Sequence, residues 1–443
     1  MSFFKKIFGA REQEHTFLSD GEPNIKFGRY SDSFKNEQQV EKWRKALALF
    51  KEKEYINSYK HFFMYLRDDD ADNVKIIEKD NEILFEVYQG SKKISGKATN
   101  DVVTAEVKVV KSNKLKVAFM RKLMERNYNL KYGRFALSKD NTVYMKFSTT
   151  SESGPPEKLY YALKEVAIQA DKLDDLLISE FSSIENVDNT HIEPLEENEL
   201  KVKIKWLKEY INKALTLTKS FDIKNDRDRA FILLSLAFKL DYLISPEGNL
   251  MDKLEKVQSI YYKQNNNKNI QEKIAEMIEL FEEINNLTNE EISNELYKTK
   301  ATFGVGTPTS HTIISDQIEE LLPKINSSIK NKNFDLAKAI SEYIAGYTLF
   351  FYGMQRPTKR FFEFLVKIMN YEYYKELGFQ RSYFKKGELN KSEITKRINE
   401  INNVFKSEFP GIAIKYNNLE FESRAHFAFS FLKEIQKLPY LPK

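Results

Sequence analysis

Residues 122–147, KLMERNYNLKYGRFALSKDNTVYMKF, change period halfway along, and that change decides the fold of the first half of the chain. Leu123 and Met124 complete a helical set begun by Phe119 and Met120, which predicts a helix over 114–127 with those four side chains on one side. Beyond Gly133 the spacing drops to two. Phe135 and Leu137 lead through a polar turn at 138–141 into Val143, Met145 and Phe147, the pattern of an antiparallel hairpin with one buried face.

The flanks repeat the same two periods. Upstream, 74–77 and 83–88 read as strands around a turn at Lys79, Asp80 and Asn81, and Val103, Ala105, Val107 and Val109 alternate with polar residues in a further strand. Downstream, a loop over 149–156 ends in Pro156, suited to the first turn of a helix. Leu159, Leu163, Val166, Ala167, Ala170, Leu173 and Leu177 then form a stripe long enough to cover a sheet. Before the strands, Trp43, Ala46, Leu47 and Phe50, then Ile56, Tyr59, Phe63 and Leu66, keep helical spacing on either side of the polar 51–54, which predicts a helical hairpin. The expected order is an irregular N-terminal arm over 1–33, a helical hairpin over 34–72, and an α+β unit over 73–185 with an antiparallel sheet and covering helices.

Strands, a helix ending in Leu123 to Asn127, the following Asn129 and Gly133, then the hairpin from Phe135 to Val143 and a long helix: in this order 73–181 resembles the YbjN family, grouped by fold with the type III secretion chaperones. The resemblance covers about a quarter of the chain. It implies a module without catalytic residues that works through sheet and helix surfaces, holding an extended segment of a partner protein. The chain departs from the small, acidic, dimeric chaperones in being long and slightly basic. The hairpin at 45–66 resembles one tetratricopeptide-type repeat, and a similar layout recurs around 325–344 with Phe334 and Ala337. The two lie too far apart for a tandem array.

From about Glu199 the pattern is helix after helix, which predicts an all-α helical domain over 199–443. Trp206, Leu207, Tyr210, Ile211 and Ala214 share one stripe, and 231–244 is apolar enough to be central. Ser245 and Pro246 read as a cap and a first helical residue, and Thr288 with Glu291 reads as a capping box. The polar run KQNNNKN, 263–269, reads as an exposed connection. Within 347–386 aromatic and cationic residues interleave, among them Tyr352, Arg356, Lys359, Arg360, Arg381 and Tyr383. Such a mixture can stack on bases while neutralising phosphates, and it can equally build a helical core with a solvated basic face. These six are the candidate residues for a partner or an anion.

Composition narrows the function classes. The 443 residues carry 70 Lys and Arg against 65 Asp and Glu, a net charge of +5 interleaved along the helices, so no polyanion footprint stands out. With no cysteine there are no disulfides, thiolate nucleophiles or thiolate metal sites. Only 15 glycines make glycine-rich phosphate loops scarce. The sole glycine pair of interest, Gly304 and Gly306 in TFGVGTPTSHT, lacks the P-loop lysine. His15, His61, His191, His311 and His426 lie far apart. Asp68, Asp70 and Asp72 begin like a calcium loop but lack its glycine and its final carboxylate. No run is long and apolar enough to span a membrane, although Phe3, Phe4, Ile7 and Phe8 with Lys5 and Lys6 make a short basic amphipathic turn over 1–9, suited to weak contact with a membrane surface. The expectation is a cytoplasmic, non-enzymatic protein without a cofactor that binds a partner protein. Nucleic acid or another anion, bound through 347–386, is the alternative, and an enzyme whose catalytic carboxylates are assembled from distant sequence is a third reading.

Overall fold

The computed structural model describes residues 22–28, 34–68, 72–181, 183–188, 191–220, 223, 225–263, 268–301 and 307–440. An antiparallel sheet with covering helices comes first, as the two periods predict, and a mostly helical region follows; the expected all-helical character is interrupted by three short strand pairings, 193–194 with 297–298, 307–308 with 352–353 and 384–385 with 388–389.

The hairpin helices are α1 (Glu37–Lys51) and α2 (Tyr55–Leu66). Asn36 and Gln39 form a capping box that satisfies the first free amides of α1. Small residues let the helices touch, for Ser58 Oγ donates to the Ala46 carbonyl at 2.8 Å and both residues are buried. The inner face of α2 carries Tyr59, Phe62, Phe63 and Leu66 onto the sheet, where the Phe63 ring lies 4.4 Å from that of Phe85. Hairpin and sheet therefore share one hydrophobic core.

The sheet contains β1 (Val74–Lys79), β2 (Glu82–Gln89), β3 (Lys92–Thr99) and β4 (Val102–Ser112). After α3 (Val117–Asn129) come β5 (Arg134–Leu137) and β6 (Thr142–Thr150), then α4 (Pro156–Glu180) and the short β7 (Ile184–Asn186). The strand order is β1-β2-β3-β4-β6-β5, with β7 paired to the end of β4. Pro156 opens α4 as expected, and Leu159, Leu163, Val166, Ala167, Ala170, Leu173 and Leu177 are all buried against the sheet. β3, KKISGKAT, has too few apolar residues to stand out in the sequence. It fits because Gly96 leaves room for a ring: a Cβ there would lie 2.1 Å from Phe85 Cζ. The helix expected from 114 begins at Val117, and Met124, expected beside Leu123, faces solvent instead.

The helical domain has its own core. It comprises α5 (Glu197–Thr218), α6 (Asp226–Leu243), α7 (Gly248–Tyr262), α8 (Ile270–Asn286), α9 (Asn289–Asn294), α10 (His311–Lys330), α11 (Phe334–Phe351), α12 (Arg356–Met369), α13 (Tyr371–Glu376), α14 (Lys391–Phe405) and α15 (Arg424–Gln436). α6 is central, its side chains from Ala230 to Leu243 nearly all buried. It packs against α11, where Gly346 lies against Phe238 and Ser235 Oγ donates to the Ala339 carbonyl at 2.7 Å. Thr288 and Glu291 form the expected capping box. Ser245 does not open a helix: its φ of +53° is the left-handed conformation that closes α6, and α7 starts at Gly248 behind Glu247.

The two cores meet at the β2–β3 turn, where the Gly90 N–H donates to the Ala301 carbonyl at 3.2 Å, and at a 2.5 Å ion pair between Lys172 on α4 and Glu255 on α7. No helix among the described residues is long and apolar enough to cross a membrane.

Candidate binding surfaces

In 347–386 the structure gathers the rings inward and pairs the charges. Phe361, Phe362, Tyr373, Tyr374 and Tyr383 are buried in the helical core. Of the six candidates, Arg356 pairs with Glu408 and lies over the Phe405 ring, and Arg360 holds Glu363 at 2.8 Å. Burial alone would raise the Glu363 carboxyl, but Arg360, Lys359 and Lys367 together hold it below the usual carboxylate range. Arg381 reaches Glu393 at 3.3 Å and Glu400 at 2.9 Å. Tyr352 stands half-buried beside Tyr347, and the Tyr383 phenol is pushed up by burial. The six are thus spread over several packed elements, and four of them serve the domain's own carboxylates. Lys375, Lys385 and Lys386 remain exposed.

A different surface emerges on α3. Phe119 and Leu123 face the core, while Val117, Met124 and Tyr128 are 86%, 70% and 91% exposed. With Arg121 these occupy positions i, i+4, i+7 and i+11, one continuous outer stripe. The segment 114–128 carries Lys114, Lys116, Arg121, Lys122 and Arg126 against Glu125, which pairs with Arg121 at 3.1 Å. An apolar stripe of this kind on a soluble face marks an interaction site more often than an isolated exposed side chain does.

The pose of α3 is set from its far side. The Asn127 side chain accepts from the Phe135 N–H at 2.7 Å and donates to the Phe135 carbonyl at 3.1 Å, capping the outer edge of β5 as a neighbouring strand would. Beyond α3, Glu165 on α4 accepts from three successive backbone amides, Lys131 at 2.8 Å, Tyr132 at 2.7 Å and Gly133 at 2.9 Å, which fixes the loop between α3 and β5. At Gly133 a Cβ would come within 2.6 Å of Met145 Cε and 3.2 Å of Val166 Cγ2, so a larger residue would make the buried Met145 side chain shift. An open groove of about 480 Å³ lies between this loop and α4, its lining including Lys131, Tyr132, Tyr161, Lys164, Glu165 and Ile168. Partial burial lowers the Lys164 ammonium from its ordinary range, and Tyr161 is 58% exposed.

The sequence reading missed this stripe. Its signal was present: 114–128 has apolar residues on two opposite faces, one more than a helix lying on a sheet needs.

Among the described residues no group of three or more His, Asp and Glu is placed to hold a metal ion. His191 and His311 are buried, and burial lowers both imidazoles. The amphipathic turn over 1–9, His15, Asp70, the 264–267 part of the polar connection and the glycines Gly304 and Gly306 lie outside the described residues. No family model and no curated protein sequence matches the chain.

Proposed function

We propose that this is a non-enzymatic interaction protein whose α+β module binds a partner polypeptide through α3 and the adjoining groove. The exposed stripe of Val117, Met124 and Tyr128 carries this reading. Five cations against one carboxylate along 114–128 favour an acidic partner segment with its own apolar face, steered by charge and held by apolar burial. The order of strands and helices, with its resemblance to YbjN and the secretion chaperones, supports a binding rather than a catalytic module.

A photo-crosslinking residue placed at Tyr128, on the same stripe, tests this in native lysate, with and without nuclease. The expected result is a protein adduct that survives nuclease and is lost in the Val117→Asp, Met124→Asp variant. If no adduct forms, or if the doubly substituted chain captures the same protein equally well through a crosslinker placed elsewhere, the reading fails. An adduct that nuclease removes transfers it to nucleic acid.

A further inference from the structure

Residues 22–28, EPNIKFG, form an extended arm laid over the helical domain. Asn24 and Lys26 are exposed, while Ile25 and Phe27 pack against the domain's core. Phe27 is the anchor: its ring centroid lies 4.8 Å from Tyr374, 6.0 Å from Phe379, 6.2 Å from Tyr242 and 6.3 Å from Tyr373. One main-chain bond sets the register, with the Gly28 N–H donating to the Tyr242 carbonyl at 2.8 Å. Gly28 has a φ of +75°, and a Cβ there would meet Tyr242 Cδ2 at 3.2 Å, so glycine makes the approach without strain. At the other end the Glu22 carboxylate sits 2.7 Å from Lys367 Nζ and 3.9 Å from Arg397. Lys367 in turn covers the Phe379 ring at 4.7 Å. The Tyr383 hydroxyl, buried without a hydrogen-bond partner among the described residues, lies within electrostatic reach of both Glu22 and Arg397.

These are the contacts of a bound peptide: one charge pair, one aromatic anchor, one main-chain bond, and alternate side chains turned to solvent. The walls also make contacts among themselves and with the rest of the domain. Tyr373 Oη donates to the Leu243 carbonyl at 2.7 Å, Arg397 pairs with Glu400 at 2.9 Å, and Tyr374 packs edge-on against Phe379.

We propose that this groove is a binding site for an extended peptide supplied in trans, and that the arm is its occupant in cis. The peptide it fits carries a carboxylate, a proline one residue later, and apolar side chains three and five residues after the carboxylate. The arm supplies the template for that chemistry, and Lys367 with Arg397 supplies the complementary charge. As a tethered occupant the arm competes at an effective concentration on the order of millimolar, so a trans peptide of micromolar affinity gains access only when the arm is weakened.

A fluorescent peptide of residues 21–29, GEPNIKFGR, titrated into the full-length chain and followed by anisotropy, tests the proposal. The Glu22→Ala, Phe27→Ala chain is expected to bind it at least tenfold more tightly than the wild type. The same peptide carrying Phe27→Ala should bind at least tenfold more weakly. Adding Lys367→Glu to the arm-weakened chain should weaken the native peptide and favour one carrying Glu22→Lys, a rescue that a misfolded variant would not show. Equal or absent binding by wild-type and arm-weakened chains with superimposable circular dichroism spectra would overturn the proposal. So would wild-type dimers that dissociate on Phe27→Ala, which would assign the groove to the arm of a second copy.

Discussion

Two helices of this chain carry the same ladder of positions i, i+4, i+7 and i+11 away from their main apolar face and use it in opposite ways. In α12 the ladder is Arg356, Arg360, Glu363 and Lys367, whose charges are met by Glu408, by one another and by Glu22. In α3 it is Val117, Arg121, Met124 and Tyr128, three apolar side chains left to solvent. Both helices belong to stretches that mix apolar or aromatic residues with cations, so composition alone does not separate them. Placement around the helix does. Where the apolar residues fall on one side, the charges opposite are partly buried and paired within the chain. Where they fall on two sides, one side has no partner among the described residues.

The comparison breaks most easily at the buried rings of 347–386. Phe362 is fully buried, and Phe362→Ala should cost about 3–5 kcal/mol through lost transfer energy and the cavity left behind. Urea unfolding measures it. A cost below about 1 kcal/mol would mean that the ring is not core, and the contrast with α3 would collapse.

A second test moves the comparison to buried charge inside the α+β module. Lys92 and Asp174 are almost wholly buried and 2.6 Å apart, and Ser91 Oγ donates to Asp174 at 2.9 Å. Asp171, one helical turn earlier, accepts from the Ser91 N–H at 2.9 Å and from Gln89 at 3.2 Å. Burial first, and then the Asp174 charge, push the Asp171 carboxyl up from 3.8 to about 6. A carboxyl raised in the folded state contributes stability below its unfolded value, which is lost as pH rises through about 6. Wild type should therefore lose roughly 2–3 kcal/mol from this group between pH 4 and pH 8. Asp171→Asn should flatten that part of the profile, so the difference between the two chains' unfolding free energies should change with the same sign and size. A difference independent of pH would show that Asp171 ionises freely.

Much of the architecture was legible in the sequence because it rests on period. The α4 stripe, the β5–β6 hairpin and the central α6 were each readable from apolar spacing. β3 was not, because its place depends on Gly96 yielding to Phe85, a contact between strands rather than a pattern within one. The candidate residues in 347–386 were readable as a composition, but their ion pairs with Glu393, Glu400 and Glu408 come from residues that follow in sequence and meet them only in the fold. The arm's role was unreadable for the same reason: nothing in EPNIKFG names Tyr242, Lys367 or Tyr374 as its neighbours.

How firmly α3 is held in its outward pose can be sharpened at Asn127. Asn127→Ala removes both bonds to Phe135 and leaves the outer edge of β5 uncapped, with an expected cost of about 1–2 kcal/mol. Hydrogen exchange at the Phe135 amide should accelerate more than at Met145 in the neighbouring strand. Unchanged exchange at Phe135 would mean that water replaces the side chain at no cost, and that α3 is held by Phe119 and Leu123 alone.

The smallest expected effect on stability decides the most about function. Val117→Ser and Met124→Ser alter side chains that make little contact with the folded chain, so each should change unfolding free energy by less than about 0.5 kcal/mol. One exposed hydrophobic side chain is ordinary, but three on one helical stripe are what an interaction surface presents. If these substitutions leave stability unchanged and abolish the crosslinked partner, the stripe is a binding surface. If either destabilises the chain by more than 1 kcal/mol, its side chain is packed within the chain after all. The outer ladder of α3 would then be, like that of α12, part of how the molecule holds itself together.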